Sequence, residues 1–220
     1  MIDELYKDRM DTGWDRVGRW VARSGLTPNA VTWLGMALCS GNALAFCFHQ
    51  NFWLFGLLVG LIELLDNVDG AVARVTGLSS RRGAYLDATT DRYKDSLILL
   101  AIAYVTGFWL PATLAITGSL ITSYAAARAS MLGAHGDASG GLPDLFERLE
   151  RTATLCLGLV AAPFCPPILG HALMWWVLYF VAAMTHITGF QRIARRLGEL
   201  DVLDAGDASA TANDDSGQTP

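Results

Sequence analysis

Five aspartates stand at spacings that could do chemistry. Asp66 and Asp69 are three residues apart, and Asp87, Asp91 and Asp95 follow one another at intervals of four. In helices each set would lie on one face. Both sets adjoin long uncharged apolar stretches, which puts ionisable groups at or near membrane depth, where they are costly and point to function. If the two faces belong to neighbouring helices, their carboxylates converge on one pocket. Like charges about 4 Å apart repel by about 4 kcal/mol per pair at an effective dielectric near 20, so such a cluster requires protons or cations. An all-oxygen donor set without His or Cys favours Mg²⁺ or Mn²⁺ over Zn²⁺. Two other readings of the same residues stay open: ion pairs with Arg74, Arg92 and Lys94 in a cytosolic loop, and a proton or cation pathway of the kind transporters carry.

The elements that must position these residues are legible in the spacing of charge. Of 220 residues, 52% are hydrophobic and 17% charged, and the mean hydropathy is +0.34. Residues Ser24 to Ile62, Ser96 to Ala127 and Thr152 to Gln191 contain no Asp, Glu, Lys or Arg, giving blocks of 39, 32 and 40 residues. A bilayer span takes about 20 apolar residues, so each block holds two. Turn chemistry interrupts each near its middle, at His49-Gln50-Asn51, at Gly107 to Pro111 and at Pro163 to Pro167. The expected fold is therefore an all-α integral membrane protein with six transmembrane helices. All 16 Lys and Arg lie outside these turns, before the first span, between spans 2 and 3, between spans 4 and 5, or after span 6. The positive-inside bias then puts both termini and the charged connections in the cytosol.

Residues 1–23 read as an amphipathic helix, with Leu5, Trp14, Val17, Trp20 and Val21 at helical spacing. It either lies in the cytosolic interface or packs on the protein itself. Residues 24–198 are expected to form the six-helix transmembrane domain that carries the aspartates. Residues 199–220 hold six acids and no Lys or Arg, and without them the net charge of −5 becomes +1; this composition predicts a disordered acidic tail. Cys39 and Cys47 are separated by about 12 Å of helix rise, which excludes a disulfide between them within one helix. No Cys/His metal spacing and no phosphate loop of the GxxxxGK type is present, and no nucleic-acid partner is expected.

The small residues around the aspartates complete a pattern. From Asp66 to Asp91 the chain reads D-x2-D-G-x2-A-R-x8-G-x3-D-x3-D, with Gly70, Ala73, Arg74 and Gly83 at the remaining fixed positions. This matches the signature of the CDP-alcohol phosphatidyltransferase family at every fixed position. Leu26-Thr27-Pro28-Asn29-Ala30-Val31-Thr32 resembles the family's stretch before span 1, and the likeness covers most of the chain except the tail. The resemblance implies a metal-dependent enzyme of phospholipid synthesis in the cytoplasmic (inner) membrane, and a homodimer. It implies two divalent ions held by Asp66, Asp69 and Asp87, with Asp91 completing the metal site and acting as general base toward the acceptor hydroxyl. The CDP-lipid, CDP-diacylglycerol or a relative, would be bound by Asp66, Asp69, Gly70, Ala73, Arg74 and Gly83. Gly70 and Ala73 allow close approach to the helix, and Arg74 can neutralise a phosphate.

The signature says little about the alcohol acceptor. Leu86 to Arg92, Ser123 to Ala129 and Phe146 to Arg151 resemble the prokaryotic phosphatidylinositol-phosphate synthase branch, which implies inositol phosphate held by Arg128 and Arg148. The chain departs from that branch at Ala126 and Ser130. Glycerol 3-phosphate stays as another acceptor with the same chemistry, and a divalent-cation transporter as a different class. A transporter more often shows internal repeats with interrupted spans, and the two halves show none.

Overall fold

The computed structural model describes residues 13–134 and 145–216, with side chains to residue 206. Leu5, His135 and the last residues of the tail lie outside the described residues. The described residues are helical throughout, apart from turns and one isolated bridge between Ile168 and His171. Residues 13–22 form α1. It is followed by α2 (Pro28–His49), α3 (Phe52–Thr76), α4 (Arg81–Thr106), α5 (Trp109–Met131), α6 (Arg148–Ala161), a short 3-10 turn at Ala162–Phe164, and α7 (Leu173–Ser216).

Local chemistry sets the boundaries. Thr27 caps α2 by accepting from Ala30 N, with Pro28 in the first turn, where its missing N–H costs nothing. The chain turns between α2 and α3 at Gln50-Asn51, with Asn51 accepting from Leu54 N at 3.1 Å. Ser80 caps α4 in the same way through Gly83 N, and α3 ends on Gly77 at φ +67°, a left-handed position that glycine adopts without strain. The interruptions expected at 49–51, 107–111 and 163–167 coincide with the breaks between α2 and α3, α4 and α5, and α6 and α7.

Helix α2 packs against both α3 and α4, α3 against α6, and α5 against α7. The core between them holds Phe46, Phe55, Leu99, Ile102, Leu159 and Leu178, all fully buried, with Phe46 and Phe55 stacked at a centroid distance of 4.1 Å. The outside is apolar too: Leu44, Phe48, Leu157 and Phe190 are each more than 60% exposed. A surface of this kind suits hydrocarbon rather than water. Helix α2, helix α5 and residues Leu173–Gly206 of α7 are long and apolar enough to cross a bilayer. α3 and α4, at 25 and 26 residues, are long enough but carry the acidic residues, and α6 has 14 residues.

α1 takes up one of the two arrangements read from the sequence, and α7 departs from its composition. α1 packs on the protein: Trp14, Val21 and Ala22 meet Val31, Val68 and Val72, and a Cβ at Gly18 would lie 2.8 Å from the Ala71 carbonyl carbon. Only at a glycine can the two backbones approach so closely. And α7 continues to Ser216, through a stretch whose composition predicts no order. Extending a helix that already exists fixes one residue per added hydrogen bond, so the unfavourable nucleation step is avoided.

Candidate active site

The acidic face is built where three helices meet. Asp66 and Asp69 lie in the second half of α3, Asp87 and Asp91 in the first half of α4, and Asp95 just past its middle. α2 wedges against both. Its Thr32 donates from Oγ1 to Asp69 Oδ2 at 2.6 Å, and its Gly35 makes room for Asp66, whose Oδ1 would lie 2.9 Å from a Cβ at that position. The other oxygen of Asp69 accepts from Gly70 N at 2.5 Å.

Two cavities flank this face. The first, about 300 Å³, is lined by Asp69, Gly70, Ala73, Arg74, Gly83 and Asp87, together with Pro28, Asn29 and Thr32 of α2 and Ser80 before α4. The second, about 440 Å³, is lined by Glu63, Asp66, Asp87, Asp91, Arg148 and Thr152 among others. Asp87 belongs to both walls. Every residue expected from the sequence to bind the nucleotide lines the first cavity except Asp66, which faces the second.

Charge around the second cavity is densely paired. Arg148 reaches in from the first turn of α6, with Nη2 at 2.8 Å from Glu63 Oε2, 3.2 Å from Asp66 Oδ2 and 3.1 Å from Asp91 Oδ1. Lys94, fully buried, pairs with the same Asp66 oxygen and lies 3.0 Å from the same Asp91 oxygen. One turn deeper, Arg151 Nη2 meets Asp95 Oδ2 at 2.5 Å, and Arg148 Nε lies 3.6 Å from Asp95 Oδ1. The Asp95–Arg151 pair thus fixes the start of α6 against α4 and carries Arg148 with it. A capping bond from Glu147 N to Glu150 Oε2 orders the same turn.

The ion pairs foreseen from the sequence are realised in part. Lys94 pairs with Asp66 and Asp91, and Arg92 approaches Asp95 at 3.7 Å and donates to Ser123 Oγ of α5 at 2.7 Å. Arg74 instead meets Asp15 of α1 at 3.2 Å, holding its guanidinium at the rim of the first cavity. Arg128 is not brought to the acids. It is exposed in the last turn of α5, lines neither cavity, and makes no ion pair with the described residues. A role for Arg128 toward the acceptor therefore rests on the likeness around Ser123 to Ala129 alone.

Glu63 and Arg151 carry the network without having been singled out for it, and Lys94 enters it from one of the open readings of the sequence. Each had a signal: Glu63 precedes Asp66 by three residues, Lys94 follows Asp91 by three, and Arg151 follows Arg148 by three, so each shares its neighbour's helical face.

The donor set suits a hard divalent ion by its chemistry. Asp66, Asp69, Asp87 and Asp91 offer only carboxylate oxygens, and the buried Asp91 Oδ1 receives no well-oriented hydrogen bond among the described residues despite its two cationic neighbours. As the side chains stand, no three acidic, His or Cys groups among the described residues converge on one point, because Lys94 and Arg148 lie between the carboxylates.

Comparison with known proteins gives a consistent answer. The family model described as CDP-alcohol phosphatidyltransferase matches residues 25–187. The archaetidylinositol phosphate synthase of Pyrococcus horikoshii is 34% identical over 181 residues, covering 81% of this chain and 88% of that protein. The phosphatidylinositol phosphate synthase of Mycolicibacterium smegmatis is 34% identical over 187 residues, covering 80% of each chain. Among solved structures, the Mycobacterium tuberculosis phosphatidylinositol phosphate synthase with CDP-DAG bound superposes with a TM-score of 0.71 at 28% identity, over 83% of this chain and 92% of that one. The same enzyme in complex with manganese and citrate gives a TM-score of 0.72 at 27% identity, over 84% and 88%. With a complete eight-residue signature folded onto two adjoining cavities and a family match over most of its length, this chain belongs to the CDP-alcohol phosphatidyltransferase family.

Proposed function

We propose that the protein transfers the phosphatidyl group of CDP-diacylglycerol to inositol phosphate, releasing CMP. The observation that carries this reading is the pair of cavities with Asp87 in their common wall: one lined by the small and basic residues of the signature, the other by Asp91 and Arg148. The named relatives, phosphatidylinositol phosphate synthases and an archaetidylinositol phosphate synthase, support the acceptor.

In this reading the first cavity takes the CDP moiety. Gly70 and Ala73 let the nucleotide lie against α3, and Arg74 neutralises its phosphates, exchanging Asp15 for them. Asp66, Asp69, Asp87 and Asp91 would hold two divalent ions, Mg²⁺ or Mn²⁺, which when bound stabilise charge on the pyrophosphate and on the leaving CMP. The acceptor lies in the second cavity with its phosphate on Arg148. Asp91 takes the proton of the attacking hydroxyl, the acceptor oxygen bonds to the β-phosphorus, and the bond to the CMP oxygen breaks. Of the two arginines assigned to the acceptor by resemblance, Arg148 has the support of lining this cavity, and Arg128 rests on the resemblance alone.

Six spans, α2 through α7, are proposed for the membrane domain (24–198), with α1 (within residues 1–23) at the cytosolic interface and residues 199–220 as an acidic cytosolic tail whose first part continues α7. The one-sided distribution of Lys and Arg supports cytosolic termini and a cytosolic active site in the cytoplasmic membrane. A homodimer is proposed on the family resemblance and is checked by the mass of the detergent-solubilised protein.

The deciding experiment supplies purified protein with CDP-diacylglycerol, Mn²⁺ and a panel of alcohols, and follows CMP release. Inositol phosphate is expected to give the fastest release. Release with glycerol 3-phosphate or an unphosphorylated alcohol but not with inositol phosphate overturns the acceptor, and no release with any alcohol overturns the reaction.

A further inference from the structure

Beside the second cavity, in contact with two of its lining carboxylates, lies a buried cation that the proposed mechanism does not use. Lys94 is 0% exposed, yet its ammonium sits between Asp66 and Asp91, two carboxylates on facing helices. Burying an ammonium is unfavourable unless it is paired on more than one side, and here both partners belong to the signature. Arg148 touches the same two oxygens but approaches from the cavity, with a quarter of its side chain exposed. It can withdraw toward the cavity when a ligand arrives. Lys94 cannot, because its stem rises from α4 one turn beyond Asp91 and is walled in by protein.

We infer that Lys94 is a positioning residue and the resident cation of the carboxylate cluster: it holds Asp66 and Asp91 together across the α3–α4 groove and competes with divalent ions for their oxygens. This inference rests on the reading of Asp66 and Asp91 as metal-site residues. Two opposed effects follow. Without Lys94 the metal-free protein keeps only Arg148 against the buried carboxylates of Asp66 and Asp91 and loses stability. The same excess negative charge draws a divalent ion more strongly, since a unit positive charge a few ångströms from the ion has been removed. A purely structural lysine predicts the reverse for metal, because disordering the groove weakens binding.

The test compares wild type, Lys94→Met and Lys94→Arg in detergent, measuring Mn²⁺ affinity from the resonance signal of free Mn²⁺ and Tm with and without the ion. Lys94→Met is expected to bind Mn²⁺ at least about tenfold more tightly. Its metal-free Tm should fall by several degrees, and the rise in Tm on adding Mn²⁺ should exceed that of wild type. Lys94→Arg, which keeps the charge, should stay within about threefold of wild-type affinity. If Lys94→Met does not fold without metal, its folded fraction is titrated with Mn²⁺. Folding at Mn²⁺ concentrations below the wild-type Kd supports the inference, and a requirement for higher concentrations overturns it. Lys94→Gln serves in the same way if Lys94→Met fails to fold at any concentration. Unchanged or weaker Mn²⁺ binding in the neutral variants overturns the role of Lys94 while leaving the site reading intact, provided wild type binds Mn²⁺ and releases CMP. A wild type that binds no Mn²⁺ overturns both.

Discussion

At the residue scale, the four signature carboxylates differ in what their loss should do. Asp66→Asn, Asp69→Asn or Asp87→Asn removes a charged oxygen from a hard-ion site and is expected to abolish CMP release and weaken Mn²⁺ binding. Asp91→Asn should stop turnover while nucleotide affinity, measured by CDP displacement, stays within a few-fold of wild type, because a base is needed only for the proton transfer. Arg148→Ala should raise the KM for the phosphorylated acceptor by roughly ten- to a hundredfold with little change for the CDP-lipid, since a charge-assisted hydrogen bond contributes about 1.5 to 3 kcal/mol. The aspartates were legible in the sequence because helical spacing puts them on common faces. Lys94 is legible in the sequence only as one ion-pair partner for the aspartates in a cytosolic loop; that its ammonium turns inward and is buried between Asp66 and Asp91 comes from the fold. Arg128 is the opposite case, a local likeness that the fold leaves outside both cavities.

At the scale of elements, the site depends on how closely α6 can approach α3. A Cβ at Gly56 would lie 2.6 Å from Leu159 Cβ and 3.2 Å from the Cys156 carbonyl oxygen, neither of which can swing aside. Gly56→Ala is therefore expected to destabilise the protein by about 1 to 3 kcal/mol, read as a lower Tm. Because α6 brings Arg148 to the acids, acceptor KM should rise in the same variant. The breaks between helices were legible because turn residues are local signals: Gln50-Asn51, Gly107 and the prolines after Ala162 need no tertiary contact to act. Two features were not. The docking of α1 depends on Gly18 meeting Ala71, a contact between residues far apart in the chain, and the length of α7 depends on a helix already formed by packing against α5.

For the whole molecule, topology follows from the distribution of charge and is checked without reference to activity. In a background lacking Cys39, Cys47, Cys156 and Cys165, cysteine at Gln50, Gly107 or Gly170 should react with an impermeant thiol reagent from outside intact cells, and cysteine at Ser79 should react only after lysis. The opposite pattern would reverse the orientation. The wall shared by the two cavities has a consequence for reaction order. With Asp87 facing both sides, donor and acceptor can be held at once, and the phosphoryl centre need never be parked on a side chain. Initial-rate plots should then intersect, as for a ternary complex, instead of running parallel as for a ping-pong enzyme. A single in-line displacement also inverts its centre, so a β-phosphorus made chiral with sulfur and heavy oxygen should emerge in the product lipid with its handedness reversed.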